Sequence, residues 1–215
     1  MNARALFSLD SATIGDIFTH AKPLGHHEDP SSLNLGFGFL YYGLVRSLRP
    51  RHIVVVGSGF GFSVVCLALA MRDNGAGAVS FIDPSDDSAR VKEHFQRFRV
   101  EDKVTHFRMT SAEFFDRYDE RKLPPIDLAF IDGNHAFADV RHDFISAMRW
   151  THRNSYLLLH DTNLYIREMI RHAGVKRWLA VVRRDRDSFE VVDFPFSSGV
   201  ALVRVLRDGP WHPGV

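Results

Sequence analysis

Residues 53–63, IVVVGSGFGFS, decide the fold. The apolar run is long enough for a buried parallel strand, it ends in Gly57, Gly59 and Gly61, and the helix-forming residues 62–71, FSVVCLALAM, follow at once. Strand, glycine turn and helix in that order make a cradle for a nucleotide-like ligand. Glycine lets the backbone take positive φ and come close to the ligand, and the free N–H groups at a helix start favour a negative group there. The pattern alone is a weak signal, so its weight depends on the rest of the chain.

Beyond residue 77 strand-like and helix-like patterns alternate. AVSFID (78–83) leads to a helical pattern over 86–98 with Asp86 and Asp87 at its start, and KVTHFRM (103–109) leads to SAEFFDRY (111–118), where Ser111 reads as the helix cap. IDLAFID (126–132) is the clearest strand. In 136–151, Phe137, Val140, Phe144 and Met148 share one helical face that would dock on a sheet, with Asp143 read as an outward or helix-stabilising acid. SYLLLHD (155–161) is the next strand. FEVVDF (189–194) and GVALVRV (199–205), separated by a turn with Ser197, Ser198 and Gly199, read as an antiparallel hairpin. This alternation predicts an α/β fold: a Rossmann-like, seven-stranded, mostly parallel sheet with helices on both faces and a C-terminal antiparallel hairpin.

The first 50 residues read as one or two helices around the polar loop GHHEDPSS (25–32), a lid-like segment ahead of a ligand-binding domain over 51–208. Phe37, Phe39, Tyr41 and Tyr42 read as core, with the framing of an aromatic acceptor as the second reading.

The chain has 215 residues, 45% of them hydrophobic, which suits one α/β domain. Its 27 basic and 26 acidic residues give a net charge of +1, so no overall field draws it to nucleic acid or anionic lipid. The basic clusters Arg46–His52 and Lys176–Arg186 read as solvated faces, and a small molecule is the expected partner. Cys66 is the single cysteine, which excludes a disulfide or a cysteine zinc site within one chain and suggests a small buried hydrophobe. The longest apolar run, 62–71, is too short to span a bilayer, and no secretory signal is visible, so a soluble, cytoplasmic protein is expected.

In an open parallel sheet, ligands bind beyond the carboxyl ends of the strands. Polar residues gather there: Gly57 and Ser58 after the first strand, Asp83 after the second, Thr110 and Ser111 after the third, Asp132 after the fourth, His160 and Asp161 after the fifth.

With these residues in place, the chain resembles the class I methyltransferases that use S-adenosylmethionine, from about Ile53 to Val205. The loop Gly57–x3–Gly61–Phe62–Ser63 looks like the first motif of the catechol-type O-methyltransferases. FIDGNHAFADVRHDF followed by LLLHDT is similar to a related bacterial branch (methyltransferase family 24-like) in which Ile–Asp–Gly–x–His recurs. The resemblance implies S-adenosylmethionine as cofactor and chains that often pair as homodimers. One departure is Val55, where many members carry an acid that contacts the methionine portion.

Asp83 can accept both ribose hydroxyl hydrogens, whether the ligand is S-adenosylmethionine or NAD. The NAD fingerprint wants a small residue at position 62, and Phe62 favours the methyl donor instead. The resemblance implies that Ser63 and the backbone near Gly57, Ser58, Gly59 and Gly61 hold the donor's carboxylate, and that Thr110 and Ser111 lie along the adenine.

For reactivity the candidates are Asp132, His135, His160 and Asp161. A histidine can take the acceptor's proton, His135 being the first choice and His160 the second. A magnesium ion on Asp132 and Asp161 could instead lower the acceptor's pKa. In the catechol-type relatives a further ligand falls on the position of Thr162, which is a poorer ligand than the usual amide or carboxylate. Two histidines and one carboxylate could also bind iron. The expected activity is O-methylation of a small-molecule hydroxyl. The rivals are an NAD-dependent oxidoreductase and a cofactor-binding protein without turnover.

Overall fold

The computed structural model describes residues 7–21, 35–59, 61–85, 88–163 and 173–213. The loop 25–32 and the acids Asp86 and Asp87 lie outside these residues.

Strands β1 (His52–Gly57), β2 (Ala78–Ile82), β3 (Val104–Phe107), β4 (Ile126–Asp132), β5 (Thr151–His160), β6 (Phe189–Phe194) and β7 (Val200–Val205) form one sheet in the order β3-β2-β1-β4-β5-β7-β6. β7 runs antiparallel to both β5 and β6, so the hairpin expected from the sequence closes one edge of an otherwise parallel sheet. Strand order reverses between β1 and β4, which places the ligand crevice there.

The inner strands carry apolar side chains on both faces, as strands buried under two layers must. On one face, α3 (Phe62–Asn74) is buried along Phe62–Met71, and α1 (Ser11–Ala21) and α2 (Leu35–Leu48) cover it through Ile14, Ile17, Phe18, Phe37, Tyr41, Tyr42 and Val45. Cys66 lies fully buried in this layer. Of the α2 aromatics read as core, Phe39 departs, at 43% exposed. On the other face, α5 (Ser111–Asp116), α6 (Phe137–Met148) and α7 (Ala173–Val182) pack over Val54, Val56, Ala129 and Ile131, with Val140, Phe144 and Met148 of α6 pointing inward. α4 (Ser88–Arg97) follows β2 and buries Val91 and Phe95.

Two expectations need correction. His52, assigned to a solvated basic cluster, is 2% exposed and bonds Ser80 Oγ through Nε2, because β1 is a central strand whose first side chain points inward. The basic segment 176–186 contains most of α7, whose Val175, Trp178, Leu179 and Val182 are buried while Lys176 and Arg177 face outward. Among the described residues, no helix is long and apolar enough to cross a membrane.

Candidate active site

The chain must leave β1 in a conformation that ordinary residues avoid. Gly57, Ser58, Gly59 and Gly61 all have positive φ, at 74°, 97°, 52° and 94°. For Ser58 this is strained, and such strain persists only where the surroundings enforce it. Gly57 is the β1 residue paired with Asp132 of β4, and a Cβ on it would meet Gly133 Cα at 2.5 Å. The Ser58 N–H donates to the Asp132 carbonyl at 3.0 Å. The glycine turn is therefore built onto the end of β4, and one wall serves both the turn and Asp132.

A cleft of about 600 Å³ opens over these strand ends. Gly57, Ser58, Gly59, Asp83, Thr110, Ser111 and Asp132 all line it. Gly61 and Ser63 lie behind the turn: Gly61 caps α3, and the Ser63 hydroxyl is buried against the Ser58 hydroxyl. Burial raises the Asp83 carboxyl above its ordinary value, partly offset by the Ser85 N–H that donates to its Oδ1 at 2.9 Å.

Two sequence expectations fail in the cleft wall. The α5 cap is Thr110, whose hydroxyl accepts the Glu113 N–H at 3.3 Å while Glu113 returns a bond to the Thr110 N–H at 2.9 Å. Ser111 instead donates to Asp143 Oδ1 at 2.5 Å. Asp143 is accordingly not an outward acid but is 4% exposed and lines the cleft. The signal was present, since Asp143 stands three residues after the buried Val140 and four before the buried Ala147.

Asp132, His135, His160 and Asp161 converge in one alternating cluster. His160 Nδ1 lies 3.0 Å from Asp132 Oδ1 and 3.1 Å from Asp161 Oδ1, without the alignment of a hydrogen bond to either. His135 Nδ1 lies 3.0 Å from Asp161 Oδ2 and its Nε2 3.6 Å from Asp132 Oδ1. Burial alone would favour the neutral forms of all four groups. The opposite charges win: Asp132 is held down to about 2 and Asp161 below its ordinary value, while both imidazoles are raised to about 9. His160 Nε2 faces away from the carboxylates, 3.3 Å from the Ser198 hydroxyl in the β6–β7 turn. Nothing in the sequence linked Ser198 to His160.

A family model described as a methyltransferase domain matches residues 54–162, half of the chain. This chain belongs to that methyltransferase family. An uncharacterized protein of Sinorhizobium fredii, y4gI, is 29% identical over 191 residues, which cover 83% of this chain. The chain spans 20% of that relative's length. Among solved structures, the O-methyltransferase TomG of Streptomyces achromogenes, in complex with S-adenosylmethionine, aligns with a TM-score of 0.74 and 17% identity over 94% of this chain and 92% of its own. An O-methyltransferase of Bacillus cereus, in complex with S-adenosylhomocysteine, aligns at 0.72 and 17% identity over 92% of each chain. At such identities the likeness shows that the methyltransferase domain shares their fold.

The cation readings fit this site poorly. Both oxygens of Asp161 and Oδ1 of Asp132 already face imidazole nitrogens, and Thr162 lines a different hollow with Lys176 and Arg183. Among the described residues, no three acidic, histidine or cysteine side chains are arranged to hold a metal, which also leaves the iron reading without a site.

Proposed function

We propose that the chain is an S-adenosylmethionine-dependent methyltransferase that methylates a hydroxyl on a small, largely apolar molecule. The observation that carries this reading is the shared wall: the glycine turn is hydrogen-bonded to the strand end that bears Asp132 and, with it, the histidine–carboxylate cluster. TomG and the Bacillus cereus enzyme, solved with S-adenosylmethionine and S-adenosylhomocysteine, support a cofactor of that kind.

In this reading Asp83 takes the ribose hydroxyls, the turn takes the methionine end, and the sulfonium methyl points toward Asp132. Transfer is an in-line displacement in which the acceptor oxygen forms a bond to the methyl carbon as the carbon–sulfur bond breaks. The sulfur keeps the electron pair, and the acceptor's proton must leave. His160 Nε2 suits that proton better than His135, because both nitrogens of His135 face carboxylates. With its imidazole raised to about 9, His160 accepts only in its neutral form, so transfer should rise as pH approaches 9. Asp132 and Asp161 then stabilise the imidazolium that forms. An apolar hollow of about 330 Å³, lined by Phe37, Leu40, Phe194 and Phe196, lies on the His160 side, where the Phe37 ring stands edge-on to the imidazole at 6.4 Å. It offers room for the acceptor's carbon skeleton.

Thermal melts test the cofactor assignment. S-adenosylhomocysteine at 100 times its Kd should stabilise the chain by about 2.7 kcal/mol, with or without EDTA, and NAD should give no shift. A shift with NAD alone would assign the cleft to an oxidoreductase, and a shift abolished by EDTA would restore a metal.

A further inference from the structure

The carboxylates at the reacting centre have little left to offer an acceptor. Asp161 Oδ2 lies 3.0 Å from His135 Nδ1 and its Oδ1 3.1 Å from His160 Nδ1, while Asp132 Oδ1 lies 3.0 Å from the same His160 nitrogen. An acceptor with two adjacent hydroxyls grips such a centre through a shared cation, which needs those oxygens as ligands. Thr162, the third position of such a set, is committed elsewhere: its N–H donates to the Gly199 carbonyl at 3.2 Å, and it lines the hollow with Lys176 and Arg183. The centre therefore gives a diol no place for its second hydroxyl.

What the centre presents instead is one nitrogen. His160 Nδ1 is directed at the carboxylates, so Nε2, 3.3 Å from the Ser198 hydroxyl, is the atom left to take a substrate proton. The hollow on that side is lined by Gly36, Phe37, Leu40, Phe194 and Phe196, none of which carries a polar side chain. Along the end of β6 and the residues after it, Phe194 and Phe196 alternate with Asp193 and Pro195, which line the hollow of Lys176 and Arg183. The alternation sorts rings to one side and charge to the other. A hydroxyl carried into the ring side loses its water and finds no side chain to replace it. At about 330 Å³ the hollow is small for a ligand cavity, and its aromatic walls suit a flat ring.

We infer that the acceptor is a monohydroxylated aromatic compound, held by its single hydroxyl at His160 Nε2 and by its ring against Phe37, Phe194 and Phe196, and that an adjacent second hydroxyl is selected against. A catechol, with two adjacent hydroxyls, is the kind of acceptor this site disfavours. The inference rests on the proposed methyl transfer from S-adenosylmethionine.

Calorimetry on the chain saturated with S-adenosylhomocysteine, titrated with 2-naphthol and with naphthalene-2,3-diol, tests it, once in EDTA and once in magnesium chloride. In both buffers 2-naphthol should bind about tenfold to a hundredfold more tightly, the discrimination an apolar pocket achieves against one added hydroxyl. Leu40→Gln puts a hydrogen-bond partner inside the hollow, so the ratio should fall toward one, and its binding of S-adenosylhomocysteine reports that the variant is folded. Tighter binding of the diol in magnesium would overturn the inference and restore a chelated acceptor. Equal binding of the two compounds by the unaltered chain would overturn it without any variant. If S-adenosylhomocysteine binds and neither naphthalene does, the hollow is not the acceptor site and the inference fails while the methyltransferase reading stands. No binding of S-adenosylhomocysteine at all would instead sink the function on which it rests.

Discussion

Gly57 answers two demands at one backbone position, a φ of 74° and the close approach of the Asp132–Gly133 backbone. Gly57→Ala should therefore cost about 2–4 kcal/mol, measured by denaturant unfolding, and should weaken cofactor binding through the displaced Asp132. Charge placement sets a pH signature as well. His135 and His160 are raised from 6.5 to about 9, so the stability they contribute is whole below pH 6.5 and is lost as pH rises through 9. Asp132, lowered from 3.8 to about 2, contributes above pH 3.8 and loses that as pH falls through 2. His94, fully buried against His20, is lowered to about 4 by burial first and by the His20 charge second, so its share is lost as pH falls from 6.5 through 4. Melting temperature should then peak near pH 6.5, and in His135→Gln/His160→Gln the decline from pH 7 to 9.5 should flatten. An unchanged alkaline slope would contradict the cluster's charge state. Much of this was legible at residue scale, because strand ends predict where Asp83, Asp132 and His160 gather. Asp143 and Ser111 were not, because which side chain caps a helix and which crosses to a neighbour depends on how α5 and α6 pack.

Helix α7 shows what sequence reading loses when charge distracts from periodicity. Lys176, Arg177, Arg183 and Arg184 suggest a solvated stretch, yet the spacing of Val175, Trp178, Leu179 and Val182 is that of one helical face. Trp178 sits 1% exposed among Phe137, Phe144 and Trp211, with ring centroids 5.6–5.8 Å apart. The helix also braces the cluster, since Gly174 lies so close to the backbone of residues 135–137 that a Cβ there would collide with it. Trp178→Ala should cost about 3–5 kcal/mol in unfolding. The strands and the helices α3 and α6 were readable because glycine turns and apolar periodicity agree in them. The pairing of β4 with β5 carries a register shift between Ile126 and Leu128 that no local pattern announces.

At the scale of the molecule, the sheet order turns a one-dimensional list of strand ends into a line of functional groups matched to one elongated ligand. Parallel strands joined by crossovers deliver their carboxyl ends to a single edge, and the reversal between β1 and β4 opens the crevice there. The order in space had to come from the fold, because sequence order alone places Asp83 and Ser111 between the glycine turn and Asp132. The central claim is that this edge grips an adenosyl sulfonium from end to end. A crystal structure of the chain soaked with S-adenosylhomocysteine tests it most directly. The account predicts ribose hydroxyls on Asp83, adenine along Thr110 and Ser111 and the sulfur directed at Asp132. A molecule lodged elsewhere, or a ribose that leaves Asp83 untouched, would contradict it.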